Sequence, residues 1–354
     1  MHHITSQDLS ARVTQLFVAA GTQAPVAKQV ADNLVMANLS GHDSHGVGMA
    51  PRYVDAILEG NLDPQARPTI RTDNGMLLGL NGHSGFGQVV GEDAMLLAFE
   101  RVQQHGACIM ALASSHHLGR IGQFAEMAVA KGWVSLHFVS VFARPVVAPF
   151  GGTDGRFGTN PCCIGIPLGY GETAQEAFIL DFATSRVAQG KMRVAHNEGR
   201  SVAPGTLIDE HGLPTNNPGV VVVPQSNGRM GALLPFGDHK GFGMAVACEL
   251  LGGALTGGGT WHQEPDNRRA VLNSMLTIVI DPKGLGASGS FASEALAFVD
   301  WLRQSPTAAG SSGVQLAGEP ERAARAARNQ DGISIDESTW VELTACATKM
   351  GFSF

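Results

Sequence analysis

The stretch GFGQVVG, residues 85–91, decides between two kinds of fold. It follows a strand-like segment, MLLGL at 76–80, and opens a helical pattern over 88–105 with Val89, Ala94, Ala98 and Val102 at helical spacing. A glycine turn between a strand and a helix has the shape of a dinucleotide fingerprint, but the spacing here is GxGxxxG. A doubly wound sheet also needs Asp or Glu near the end of the next strand, to hold the ribose hydroxyls. That strand, CIMALAS at 108–114, instead runs into Ser114, Ser115, His116 and His117. The test fails, and the glycines read as a loop that requires close backbone packing.

Further along, the pattern predicts a helix over Phe124–Lys131, a strand over 134–141, later strands at 177–182, 219–223 and 275–281, and a helix near 240 carrying Phe242, Met244, Cys248 and Leu251. Before the central region, residues 6–40 predict two helices. Ser6 can cap the first, which places Leu9, Val13, Leu16 and Phe17 on one face. The second places Val26, Val30, Leu34 and Val35 inward, and a third helix starts near Pro51. QSPTAAGSSG at 304–313 has linker composition, and two more helical segments follow it. Helices at both chain ends predict an α+β protein with a discontinuous helical domain, residues 1–68 together with 290–354. A sheet domain would span 69–289, with room for a small inserted lobe around 120–176.

The chain has 354 residues, too many for one ordinary core, and 44% apolar content suits globular lobes. With 24 Lys and Arg against 31 Asp and Glu, the net charge of −7 disfavours nucleic acid, whose phosphates demand cations. Five cysteines without CxxC spacing read as reduced thiols, the N-terminus shows no apolar leader, and no apolar run is long enough to span a bilayer. The expectation is a cytoplasmic protein with no membrane partner.

His42, His45, His116, His117 and His239 all lie in glycine-flanked turns, which is where binding and catalytic groups concentrate. The HxxH at 42–45 lacks the helical i,i+4 spacing of a zinc site and has only Asp43 as an acidic neighbour, so no metal is expected. Ser44 adjoins His45, but sequence neighbours in an extended turn rarely meet as nucleophile and base, and no GxSxG elbow exists. Three other segments are candidates. GTNP offers the Thr159 hydroxyl and Asn160 amide, LDFATS puts Asp181 at a strand end, and LLPFGDHKGFG sets His239 and Lys240 before a helix start that could receive a phosphate.

GHDSHGVGMAPRY, SHHLGRIG, APFGG, GTNP, LDFATS, LLPFGDHKGFG and AGEPE occur together and in this order. The set resembles the type 2 malate/L-lactate dehydrogenase family of NAD(P)-dependent oxidoreductases, over nearly the whole chain, and most of all its hydroxycarboxylate dehydrogenase branch. The resemblance implies a non-Rossmann NAD(P)-binding domain on a mostly antiparallel or mixed sheet, a helical domain from both chain ends, a homodimer, and a small 2-oxo or 2-hydroxy acid as substrate. It implies that His117 exchanges the proton and that His45 contacts the substrate, with Ser44, Met49, His116, Thr159 and Asn160 nearby. It further implies that NAD or NADP is contacted by Gly119, Arg120 and Ile121, by Ile179, Leu180, Asp181, Phe182 and Ala183, by His239, Lys240 and Asn273, and by Gly318, Glu319, Pro320 and Glu321.

One position departs from the family pattern. Many members have Arg where this chain has Met49, and Met cannot form the paired hydrogen bonds that hold a carboxylate. A dicarboxylate such as malate is disfavoured and an apolar or aromatic side chain favoured, leaving Arg52, Arg120 or Arg144 to bind the remaining carboxylate. The expected reaction is hydride transfer between nicotinamide C4 and substrate C2, with a histidine of ordinary pKa near 6.5 moving the proton. Malate, lactate, ureidoglycolate or sulfolactate oxidation and cyclic imine reduction fit the same frame. A metal-dependent hydrolase or a non-catalytic binding protein is the remoter alternative.

Overall fold

The computed structural model describes residues 1–169, 177–262, 271–287 and 290–354. Strand β1 (His2–Ile4) leads into helices α1 (Ser6–Ala19) and α2 (Ala24–Leu39). The cap of α1 is Thr5, not Ser6: Ser6 already has helical backbone, whereas Thr5 is extended and its Oγ1 accepts from the Asp8 N–H at 3.1 Å. The predicted apolar faces of both helices are buried. Two single 3₁₀ turns, Asp43–His45 and Val47–Met49, then deliver the chain to α3 (Ala50–Leu58).

The central region supplies β2 (Thr69–Asn74), β3 (Leu77–Asn81), α4 (Gly87–His105), β4 (Ala107–His116), α5 (Gly122–Val129), β5 (Val134–Phe142), β6 (Cys162–Pro167) and β7 (Ala177–Phe182). After α6 (Gln189–Asn197) come the short strands β8 (Leu207–Ile208), β9 (Pro214–Thr215) and β10 (Ala232–Leu233). Helix α7 (His239–Cys248) continues into a π-helical segment, Glu249–Leu255, and β11 (Leu272–Ile280) follows. The chain closes with α8 (Phe291–Arg303), α9 (Glu319–Asp331), β12 (Ile333–Ile335) and α10 (Glu337–Lys349).

The main sheet has seven strands in the order β2-β3-β4-β11-β5-β6-β7. β3 and β4 are parallel, with α4 as their crossover, and the other neighbours are antiparallel. β11 comes last in sequence yet lies between β4 and β5. Three of the buried clusters matter here. One joins α1, α2 and α3 to β12 and α10. The second lies between the sheet and the helices α4 and α5. The third gathers Val146, Val147, Phe157, Met192, Leu207, Val220, Leu233 and Ala245. An extra lobe expected around 120–176 therefore draws on later residues, because 122–142 are taken up by α5 and β5 of the sheet. The strand predicted at 219–223 is also absent. Pro218 starts a 3₁₀ turn there and the Asn217 side chain accepts from the Gly219 N–H at 2.9 Å, a local bond that outcompetes the β-branched run.

Candidate active site

The site is built where β4 ends. Ser115 pairs with Asn273 and Leu112 with Met275, so Ala113 and Ser114 together oppose Ser274. This bulge puts Ser114 at φ +56°, and its N–H donates to Ser274 Oγ at 3.0 Å. A bulge bends a strand and re-aims the side chains beyond it, here His116 and His117. Asn273 then fixes the turn from behind, accepting from the Leu118 N–H at 2.9 Å and donating to the Leu272 carbonyl at 3.1 Å. It is 2% exposed, so its amide holds the turn and does not face a ligand as expected. The fingerprint-like glycines serve the same turn. A Cβ on Gly87 would fall 2.3 Å from the His117 carbonyl oxygen, and one on Gly91 2.5 Å from the Phe124 ring, so α4 can approach only without side chains there.

His117 meets two groups from the helical core. Gln88 Nε2 donates to the Tyr53 hydroxyl at 2.9 Å, and that hydroxyl lies 2.6 Å from His117 Nδ1. With Gln88 donating to its oxygen, Tyr53 has its own proton to give to Nδ1. Tyr53 is a buried residue of α3, and the fold brings its hydroxyl to the histidine. The His45 ring stacks on His117 with centroids 5.6 Å apart and planes inclined by 19°. His45 Nδ1 lies 3.0 Å from Ser44 Oγ. Among the described residues neither Nε2 has a protein partner.

Burial sets the charge of these rings. It pushes the His45 pKa down to about 4, aided by the His42 and Arg120 charges, and the His116 pKa down to about 4. His117 is held well below the ordinary histidine value by burial first, then by His45, His116 and Arg52. The expected unperturbed pKa near 6.5 is therefore corrected: the ring is desolvated among other basic groups, and is neutral at neutral pH. His116 is sealed, 4% exposed, with its Nδ1 unpartnered.

A second flank forms from distant segments. Asp181, at the end of β7, accepts from the Gly122 N–H at 2.7 Å. Burial raises its pKa, while that bond and the Arg120 charge oppose the rise. Arg120 is 4% exposed and paired with Glu126 at 2.5 Å, and Arg325 of α9 pairs with the same carboxylate. The Ala317 carbonyl accepts from the Ile179 N–H at 3.0 Å, which brings the 317–321 loop against β7. There Gly318 has φ +96°, Glu319 pairs with Arg303 at 2.6 Å, Pro320 lies in the first turn of α9, and Glu321 Oε1 meets His42 Nε2 at 3.0 Å. That contact holds the Glu321 pKa down, and the second oxygen, Oε2, is buried without a partner. Gly119 (φ +75°), Ile121, Leu180, Phe182 and Ala183 lie on the same connected stretches.

Other expected residues do not join this arrangement. Asn160 is fully buried: its Oδ1 accepts from the Val141 N–H at 3.0 Å and its Nδ2 donates to the Ala245 carbonyl and Glu249. Its expected substrate contact is thus replaced by an interior role, and the Thr159 carbonyl beside it accepts from the Thr184 N–H. His239 and Lys240 are exposed at the start of α7, the His239 ring edge-on to Phe150 at 6.0 Å, with no contact to His117 among the described residues. Met49 is half-buried and packs against the helical core. A groove of about 650 Å³ is lined by Asn33, Gln123, Glu126 and Arg325, and neither imidazole of the pair lines it. Among the described residues no three His, Cys, Asp or Glu side chains gather as a metal site would need, and no helix is long and apolar enough to cross a membrane.

The comparisons with known proteins agree with one another. A family profile described as malate/L-lactate dehydrogenase matches residues 4–344. The chain is 43% identical to hydroxycarboxylate dehydrogenase B of Escherichia coli O157:H7, covering 99% of this chain and 95% of that one. It is 40% identical to an L-lactate dehydrogenase of Cupriavidus necator, over 96% of each. A solved structure described as a putative malate/lactate dehydrogenase from E. coli superposes with a TM-score of 0.93 at 42% identity, covering 99% of this chain and 96% of that chain. With the profile and the full-length relatives in agreement, the chain belongs to the malate/L-lactate dehydrogenase family, and is an oxidoreductase.

Proposed function

We propose that the chain is an NAD(P)-dependent 2-hydroxycarboxylate dehydrogenase, equally a 2-oxo acid reductase, with a preference for monocarboxylic or aromatic 2-oxo acids. The observation that carries this reading is the imidazole pair: two stacked, half-buried, neutral rings, each engaged at Nδ1 and, among the described residues, each with Nε2 unclaimed. His117 is a neutral base suited to take the hydroxyl proton of a 2-hydroxy acid. In the reverse direction it must first be protonated, and an anionic substrate beside the ring raises its proton affinity. His45, anchored by Ser44, orients the reacting oxygen.

Members of this family depend on pyridine nucleotides, and the residues of the second flank fit one. Glu321 Oε2 is a buried acceptor without a donor, which a ribose hydroxyl would supply. The segments 119–121, 179–183 and 318–321 would hold the nucleotide on a mixed, largely antiparallel sheet outside the Rossmann pattern, with 1–68 and 290–354 as the helical domain. When bound, the nicotinamide donates or accepts the hydride. A cytoplasmic homodimer completes the proposal.

The test is absorbance at 340 nm with NADH and NADPH against pyruvate, phenylpyruvate, hydroxyphenylpyruvate, 2-oxoglutarate, oxaloacetate and a cyclic imine. Oxidation driven by monocarboxylic or aromatic 2-oxo acids is expected. Preference for oxaloacetate would overturn the substrate assignment, and turnover of the imine alone would replace it with imine reduction.

A further inference from the structure

Three chain segments run in register beside the imidazole pair. Gly190, at the start of α6, lies against Ser44, where an added Cβ would stand 3.3 Å from the serine Cβ. Gly48 lies equally close to Thr339 of α10, at 3.3 Å from its methyl. About one helical turn further along each element stand Arg193 on α6, Glu342 on α10 and Arg52 on α3. Arg193 and Glu342 form an ion pair at 3.8 Å. Arg52 has no hydrogen bond or ion pair among the described residues, although the charges of Arg193 and Glu342 both act on it.

The cluster thus holds two cations and one anion, and the surplus positive charge belongs to Arg52. It adjoins the reacting centre. Tyr53, the next residue, bonds His117, and the charge of Arg52 acts on the His117 ring. Partial enclosure and the neighbouring Arg193 disfavour its charged form, a cost that an incoming anion would relieve. The other two arginines considered from sequence are engaged. Arg120 is sealed against Glu126, and Arg144 Nη2 donates to the Val221 carbonyl at 2.8 Å. Arg52 also stands three residues after Met49, so the two are neighbours on the helix surface.

We propose that Arg52 binds the carboxylate of the substrate, with Arg193 neutralised by Glu342. This rests on the reading of the chain as a 2-hydroxy acid dehydrogenase. It deepens that reading: one unpaired cation matches one carboxylate, so a second carboxylate on the substrate would find no charge to meet it.

The experiment compares wild type with Arg52→Ala and Arg52→Lys. Steady-state kinetics use the best 2-oxo acid and its methyl ester, and calorimetry measures binding of oxamate, a monocarboxylate isostere of a 2-oxo acid, with reduced nucleotide present. Arg52→Ala should raise KM for the acid and Kd for oxamate about 10- to 100-fold, leave KM for the ester and nucleotide affinity unchanged, and lower kcat little. Arg52→Lys should recover part of the loss. Because Arg52 keeps exposed surface, the variants should fold, and circular dichroism checks this. Unchanged KM and Kd in Arg52→Ala would overturn the assignment. Wild type that binds oxamate through Arg52 but turns over no 2-oxo acid would overturn the functional reading alone, and wild type that does neither would overturn both.

Discussion

His117, half-buried just beyond the end of β4, and His137, fully buried in β5, belong to the same sheet region, and desolvation lowers the pKa of each, His137 to about 3. They differ in what their nitrogens meet. His137, in the middle of β5, has both nitrogens engaged: Nδ1 with Thr277 Oγ1 at 3.0 Å and Nε2 with Ser135 Oγ at 3.0 Å. His117 has Nδ1 held by Tyr53 and Nε2 without a protein partner among the described residues. The contrast shows that a depressed histidine pKa does not by itself mark chemistry. A saturated ring is part of the core, whereas a ring tied at one nitrogen is oriented toward something outside the protein.

The contrast can be broken most sharply at His117. His117→Asn should lower kcat by about 10²- to 10⁴-fold with the thermal transition preserved, since the proposed base is lost and little packing. Near wild-type turnover would move the role to His45. His137→Phe should do the reverse. It strands the Ser135 and Thr277 hydroxyls in the interior at about 1–3 kcal/mol each, visible in chemical denaturation, while the surviving folded protein keeps its kcat. Loss of turnover without loss of stability would erase the distinction between the two rings. Tyr53→Phe should reduce kcat by about tenfold, the worth of one hydrogen bond of about 1.4 kcal/mol that orients the imidazole. An unchanged kcat would mean that packing alone positions His117.

A separate expected effect is on stability against pH. His45 and His116 titrate at about 4 when folded and near 6.5 when unfolded, so between those values the unfolded chain binds more protons. Stability should be full above pH 6.5, decline as the pH falls toward 4, and level off below. Equilibrium urea denaturation across that range would show it, and a flat profile would mean that the rings are solvated. In the oxidation direction, the acid limb of kcat/KM should lie below the ordinary histidine range because His117 is depressed.

Much of this was legible in the sequence where the pattern is local. The apolar spacing of α1 and α2 predicts the faces they bury. The glycine- and histidine-rich turns identify the segments that meet at His117 and Asp181. What stays hidden depends on partners far along the chain. The insertion of β11 between β4 and β5 has no local signal, and the bulge at Ala113 and Ser114 exists only through that pairing. Asn160 and Asn273 look like ligand groups until the carbonyls and amides that saturate them come into view. Tyr53 has no local signal either, since a helical position facing the core conceals a hydroxyl delivered to the site.

The pairing of β1 with β12 has a consequence for synthesis. His2 to Ile4 align with Ile335 to Ile333, and the buried cluster of α1 and α2 includes Ile333, Ile335 and Leu343. A ribosome adding 5–20 residues per second releases the first helices roughly 15–65 s before their last partners. For that interval the apolar stripes of two amphipathic helices stand without their full cover, while the sheet between them is still being made. Until β12 and α10 arrive, that apolar surface is open to aggregation.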